Sequence, residues 1–334
     1  VTDVPELVRP GDVVVVNTTR VLPARLRLRK DTGGEVEVLL LERLPSGAWE
    51  ALVRPGRRVR PGSVLRAGDD LAVQVGGPGP GDGTRLVELQ VAGDAGTADV
   101  ASGTRADPTV GAGPGRGTAD LASDAAAELA ALDRHGAVPL PPYITVPLAD
   151  PDRYQTVFAD RPGSVAAPTA GLHLTPAVLD RCRAAGARVE PVELVVGMGT
   201  FRPMSAPKVE DHHMHAERYR VPAATLDACR AARAAGGRVV AVGTTTVRAL
   251  ESAALSGSLA GRTELFIHRP WQWRLVDVLM TNFHLPRSSL LVLVDAFVGP
   301  RWRDLYAAAL AAGYRFLSFG DAMWVVRDDG EAPR

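Results

Sequence analysis

From Tyr154 onward, strand-length apolar runs alternate with helix-length segments, and no other feature restricts the fold of this chain so strongly. Thr175 and Pro176 form a helix start, with the threonine as cap and the proline in the first turn, where a missing N–H costs nothing. Gly186 stops that helix, and residues 189–196, VEPVELVV, follow as a strand. Residues 223–235 read as another helix, ended by Gly236 and Gly237, and 238–242, RVVAV, as the next strand. Residues 275–280, 288–297, 305–312 and 314–319 carry the alternation on. Such a pattern builds a sheet covered by helices.

The first half reads differently. Residues 11–17, GDVVVVN, are a short apolar run that suits a buried strand. From Arg20 to about Gln90, short strands are broken by Gly, Pro and Asp turns, which suggests an antiparallel barrel or sandwich. Residues 91–124 are mostly Gly, Ala, Thr, Asp and Pro, too polar and small to offset their ordering entropy, and read as a flexible insertion. Residues 139–144, PLPPYI, hold too much proline for a helix and should cross in an extended form. The expected fold class is α/β: a layered α/β domain from 1–19 and 146–334, with an antiparallel β-barrel domain inserted over 20–145.

Charge and cysteine content exclude several classes. The formal net charge of +0 argues against a generally basic nucleic-acid coat, so any RNA contact must come from a local patch. Cys182 and Cys229 are the only cysteines, which excludes a disulfide framework and fits a reducing cytosol. No apolar run reaches membrane-spanning length, so a soluble, cytoplasmic protein is expected.

Three loops at the expected strand ends carry polar groups. Residues 243–252, GTTTVRALES, leave a strand and open a helix. Gly243 lets the backbone turn closely, Thr244 and Thr245 add hydroxyls, and the helix N-terminus offers free N–H groups. That suits a carboxylate, phosphate or ribose; an ordinary threonine-capped helix is equally consistent. Residues 281–289, TNFHLPRSS, have the same position, with Asn282 able to donate and accept and His284 able to titrate. Asp321, in FGDAM, is expected after a further strand. Three such loops favour a shared pocket.

Two stretches are unusually dense in reactive or small residues: 162–174, PGSVAAPTAGLHL, and 210–217, EDHHMHAE. His212 and His215 stand three apart, but no third ligand of clear spacing joins them, so an acid/base or hydrogen-bonding cluster is favoured over a metal site. Basic residues recur in the expected barrel: Arg20, Arg25, Arg27, Arg29 and Lys30, then Arg54, Arg57, Arg58 and Arg60. Alternation puts Arg25, Arg27 and Arg29 on one face of a strand, as phosphate contact would need; a solvated edge strand reads the same way.

Taken together, NTTRVLPARL, PLPPYI, YQTVFADRPGSVAAPTAGLHLT, GMGTFRP, EDHHMHAE, VGTTTVRALES, TNFHLPRSSLLVLVDAFVG and YRFLSFGDAM occur in this order, and the chain closely resembles the S-adenosylmethionine:tRNA ribosyltransferase-isomerase family of queuosine synthesis. The resemblance runs from about Gly11 to Trp324. It implies transfer of the ribosyl part of S-adenosylmethionine to the aminomethyl-deazaguanine (prequeuosine) wobble base of a tRNA with a GUN anticodon. The ribose becomes an epoxycyclopentanediol, giving epoxyqueuosine, and adenine and methionine leave. It implies no metal and a monomer. On this resemblance His173, Asp211 and His215 are the candidates for proton handling. Thr169 and Gly171 would shape the pocket, and Gly243, Thr244, Thr245, Arg248, Asn282 and His284 would hold the cosubstrate. Asp321 would accept hydrogen bonds from ribose or base, and Arg20, Arg25 and Arg27 would meet RNA phosphates.

The sequence departs from the family pattern in three places. Members usually carry a further segment before the strand at Gly11, Val195 stands where they usually have a histidine, and the 91–124 insertion falls in the expected RNA-binding domain. Two other readings follow from these departures: an S-adenosylmethionine-consuming enzyme acting on a small molecule, and a non-catalytic tRNA-binding descendant. The first predicts product release without tRNA; the second predicts tRNA binding without turnover.

Overall fold

The computed structural model describes residues 1–92, 118–146, 148–197, 204 and 208–327. Most of the expected flexible insertion, and most of the GMGTFRP block, lie outside the described residues. The chain forms two compact units, one from Val1–Val21 with Leu140–Arg334 and the other from Leu22–Pro139.

The first unit opens with a one-turn helix α1 (Val4–Leu7), then β1 (Val13–Asn17) and β2 (Thr19–Val21). The second unit follows with β3 (Arg25–Lys30), β4 (Glu35–Arg43), β5 (Trp49–Arg54), β6 (Val64–Ala67), β7 (Leu71–Pro78), β8 (Arg85–Val91), helix α2 (Thr118–His135) and the short β9 (Gly136–Ala137). The first unit then resumes with β10 (Arg161–Ser164), α3 (Pro176–Ala184), β11 (Arg188–Leu194), β12 (Glu217–Arg220), α4 (Ala223–Ala234), β13 (Val239–Val242) and α5 (Thr244–Ser256). It ends with β14 (Ala260–Thr263), β15 (Val278–Asn282), α6 (Ser289–Val298), α7 (Trp302–Ala311) and β16 (Ala322–Val326).

The α/β unit is built on a mixed sheet of order β14-β12-β11-β1-β13-β15-β16. Its centre, β11-β1-β13-β15, is parallel. β1 reads VVVVN because it is covered on both faces, and every one of its residues is buried. The two-residue period sorts its side chains. Val13 and Val15 join the core formed with α4, α5 and α6, while Val14 and Val16 join the core formed with α1 and α3. Asp12 clamps the strand beginnings. Its buried carboxylate accepts from the backbone N–H groups of Arg9 and Arg238, each at 2.9 Å, and pairs with the Arg238 guanidinium at 2.6 Å.

In the inserted unit, strands β4-β5-β8-β7-β6-β3 are antiparallel neighbours, and β3 also pairs with β4, so the six close into a barrel. Leu26, Leu28, Val38, Leu40, Leu65 and Val73 fill its interior. Helix α2 is held by Glu128, which accepts from Trp49 Nε1 at 3.0 Å and Arg43 Nε at 2.8 Å. Residues 118–124, read from sequence as part of the flexible insertion, begin this helix; the Ala- and Leu-rich text that follows, AAAELAAL, is a good helix former and carries the helix on. Gly136 passes so close to the chain that a Cβ there would lie 1.8 Å from the Pro23 carbonyl oxygen.

One other expectation is corrected. Residues 314–319 are not a strand, and Asp321 precedes β16 instead of following a strand. The Asp321 carboxylate accepts from Arg315 N at 2.7 Å, closing a loop that stacks Phe316 on Phe283.

Glu251 on α5 is fully buried and accepts backbone N–H bonds from Arg274 (3.0 Å), Leu275 (2.9 Å) and Val276 (3.1 Å). This carboxylate fixes the path into β15. Glu251→Ala should lower unfolding free energy by about 3 kcal/mol, and Glu251→Gln by less, because its amide oxygen still accepts. Denaturant melts of both variants check this; a wild-type midpoint for Glu251→Ala would refute it.

Candidate active site

The parallel strands β1, β13 and β15 finish on the same side of the sheet, and a cavity of about 110 Å³ opens there. It is lined by Thr169 and Ala170, by Gly243, Thr244 and Thr245 at the start of α5, by Thr281, Asn282 and His284 after β15, and by Tyr143 and Ser318. Gly243 has φ +88°, a left-handed turn that a side chain would strain, and it aims the first turn of α5 at the cavity. Thr246 returns its hydroxyl to the Val242 carbonyl at 2.7 Å. The Thr245 hydroxyl is buried and has no hydrogen-bond partner among the described residues. A buried unpaired hydroxyl is costly unless something else satisfies it, and it stands beside the helix N-terminus, where anions and polar oxygens are favoured.

Asn282 is the hub. Its Oδ1 accepts from the Thr169 hydroxyl at 3.1 Å, and its Nδ2 lies 2.8 Å from His173 Nε2 and 3.3 Å from the Leu317 carbonyl. An amide NH₂ only donates, so in this arrangement His173 Nε2 must accept, and the imidazole is neutral with its proton on Nδ1. Burial also pushes the His173 pKa below its usual value, opposed by the charge of Asp321. His284 is more deeply enclosed. Its Nε2 lies 3.0 Å from the Thr281 hydroxyl, its backbone N–H donates to Tyr306 at 2.9 Å, and burial pulls its pKa down to about 4.

The other candidates are placed as follows. His173 is half-buried and reaches the cavity only through Asn282, without lining it. Gly171 is buried and does not line it either, and a Cβ there would lie 2.5 Å from the Phe158 ring. Arg248 lines a smaller neighbouring cavity that shares Thr244 and Thr245 with the first. It pairs with buried Glu217 and donates to the Leu265 carbonyl at 3.0 Å, so its charge is already matched. Asp321 holds its own loop and acts on His173 through charge alone. Asp211 and His215 are exposed and line neither cavity; of the EDHHMHAE block, Met214 lines the smaller one. Among the described residues no group of three His, Cys, Asp or Glu side chains converges as a metal site would.

Sequence reasoning missed Tyr143, whose hydroxyl meets that of Ser318 at 2.7 Å on the cavity wall, although the prolines around it in PLPPYI mark a rigidly held side chain. Of the basic residues, Arg20 is exposed on β2 of the α/β unit, whereas Arg25 and Arg27 are on β3 of the barrel. Arg27 faces Glu37 and Arg29 faces Glu35 across the β3–β4 pair, so that strand face is mixed in charge and not uniformly basic.

Comparison with known proteins gives a consistent picture. The signature of the family described as "Queuosine biosynthesis protein" matches residues 1–325. The S-adenosylmethionine:tRNA ribosyltransferase-isomerase of Synechococcus elongatus is 46% identical over 331 residues, covering 98% of this chain and 85% of its own. The protein of the same name from Thermus thermophilus is 46% identical over 343 residues, covering 98% and 87%. A crystal structure of an S-adenosylmethionine tRNA ribosyltransferase from Thermotoga maritima is 33% identical, with a TM-score of 0.47 over 97% of this chain and 86% of that one.

His284 gives the fold a pH signature. An unfolded histidine takes up a proton near pH 6.5, and the folded one only near pH 4, so between these values the unfolded state binds more protons. Stability should therefore fall as pH drops across that window, by on the order of 3 kcal/mol in total. Thermal melts against pH should show His284→Asn with a shallower decline than wild type.

Proposed function

The chain belongs to the queuosine biosynthesis protein family, and from that premise we propose that its cavity binds S-adenosylmethionine and transfers the ribosyl part, with isomerisation, to the prequeuosine base of tRNA. The products are epoxyqueuosine in the tRNA, adenine and methionine. The observation that carries the reading is a neutral, half-buried histidine linked through Asn282 to a cavity that also takes in a helix N-terminus bearing an unsatisfied hydroxyl, at the carboxyl ends of parallel strands.

The residues suit the cosubstrate's chemistry. The first turn of α5, with Gly243, Thr244 and Thr245, offers N–H and hydroxyl groups to a carboxylate or ribose, and the Thr245 hydroxyl is unpartnered among the described residues. A sulfonium acidifies the ribose carbon beside it, and a base that removes this proton starts the reaction. His173 is the group we assign to that proton, because burial and Asn282 both keep its Nε2 unprotonated near neutral pH. Loss of the proton lets the sugar ring open and adenine leave; the RNA amine attacks, and closure of the epoxide expels methionine. Thr169 and Asn282 orient the imidazole, and His284, held neutral, serves as a hydrogen-bonding wall. Arg248 and Gly171 support the pocket from behind, and Asp211 and His215 take no part in the first proton step.

The finer points extend the same proposal: a tRNA with a GUN anticodon as acceptor, action in the cytoplasm, and a monomeric enzyme without metal. No described helix is long and apolar enough to cross a membrane.

Incubation of prequeuosine-containing tRNA with enzyme and S-adenosylmethionine, followed by mass spectrometry of the tRNA, should reveal epoxyqueuosine. Adenine formed without tRNA would point to a small-molecule acceptor instead.

His173→Gln should cut adenine release by about 10²-fold or more, while His215→Ala keeps most of it. Because the neutral imidazole is the working form and its pKa is depressed, wild-type activity should persist below the usual histidine range before falling with acid. Full turnover by His173→Gln would remove His173 from this role.

A further inference from the structure

A groove beside β12 carries charge that the active-site cavity does not use. Arg161, Arg218, Arg220 and Arg262 line a space of about 520 Å³ on the α/β unit, and Glu193 is the one carboxylate among the lining residues. Glu193 is shared, lying 3.2 Å from Arg161 Nε and 3.4 Å from Arg220 Nη1. Among the lining residues four guanidiniums stand against one carboxylate. A chain with a formal net charge of +0 has concentrated these arginines here.

The strand register sharpens the point. The β12–β14 pair sets Arg218 directly opposite Arg262. Like charges facing each other across an antiparallel pair are destabilising. Arg262 is steadied by donating to the Ala216 carbonyl at 3.0 Å, while exposed Arg218 has no ion-pair partner among the described residues. Charge on an edge strand guards against unwanted pairing, which accounts for Arg262 on the edge strand β14. It does not account for Arg218 and Arg220, because β12 is paired on both sides. The basic surface also continues sideways, since Arg20 on β2 is the register partner of Pro162, next to Arg161.

We propose that this groove binds the phosphodiester backbone of the RNA substrate and so fixes the tRNA on the α/β unit. The inference rests on the reading of the chain as a tRNA-modifying enzyme. Guanidinium forks match phosphate oxygens, and an anion between Arg218 and Arg262 turns a repulsive pair into a clamp. Such contacts position the RNA and do not read its sequence.

The test is binding of a tRNA transcript, followed by fluorescence anisotropy over a salt series. The Arg161→Gln/Arg218→Gln double variant should bind about tenfold more weakly at physiological salt, with the slope of log K against log salt reduced by about 1 to 2. Glu193→Gln should bind more tightly than wild type, and it decides the question even if the double variant folds poorly. Wild-type affinity and slope in the double variant, or no tightening in Glu193→Gln, overturns the groove while tRNA binding by the wild type stands. Failure of the wild type to bind tRNA overturns the tRNA reading itself, and this inference with it.

Discussion

The backbone pairing of β1, β13 and β15 is the constraint on which the site depends. Val16 is level with Val242, and Val242 with Met280, so the chain leaves all three strands at one edge of the sheet. Gly243 and Asn282 stand at that edge for this reason. The Gly243 N–H donates to the Met280 carbonyl at 2.8 Å, which ties the helix-opening turn to the strand that carries Asn282. At the far ends of the strands, Asp12 secures the register by holding Arg9 and Arg238. A slip by one residue would turn Val14 and Val16 toward the other core and misplace every side chain of the cavity.

Burial decides what the histidines can do. His173 and His284 both border the cavity's hydrogen-bond network, yet they differ in access and partners. His173 is half-buried, its lone pair held by the Asn282 amide. His284 is sealed among Thr281 and Tyr306 and stays uncharged well into the acid range. One fold thus presents a hydrogen-bond acceptor with an accessible ring and a sealed neutral polar wall from the same side-chain type, through environment alone.

Features written locally in the sequence were legible, and features that depend on distant pairing were not. The α/β pattern and the strand-rich insert followed from apolar periodicity and from turn residues. GTTTVR and TNFHLP could be set at strand ends because the strand-to-helix change is visible within a few residues. That Asn282 reaches back 109 positions to His173 has no local signal. Arg248 looked available for a ligand because its partner, Glu217, stands 31 positions earlier in a block that invited an acid/base reading. The opposite error arose at β3: the glutamates facing Arg27 and Arg29 were present in the text, but only the hairpin register sets them across from the arginines. Asp321 was placed after a strand because 314–319 is apolar and short. Its aromatic residues instead pack on Phe283, and the carboxylate closes a turn.

The barrel leaves and rejoins the chain at adjoining positions, since Arg25 on the first barrel strand pairs with Ala137 on the last. In topological terms the whole insert is an overgrown crossover between β2 and β10, which pair in parallel. The host sheet needs only two chain ends held a strand's width apart, whatever lies between them. Loop-closure entropy grows slowly with length, so an excursion of this size costs the host little more than a shorter crossover would. The unit is therefore exchangeable in principle: the insert can drift, lengthen or be replaced while the residues at the strand ends stay where the parallel strands put them.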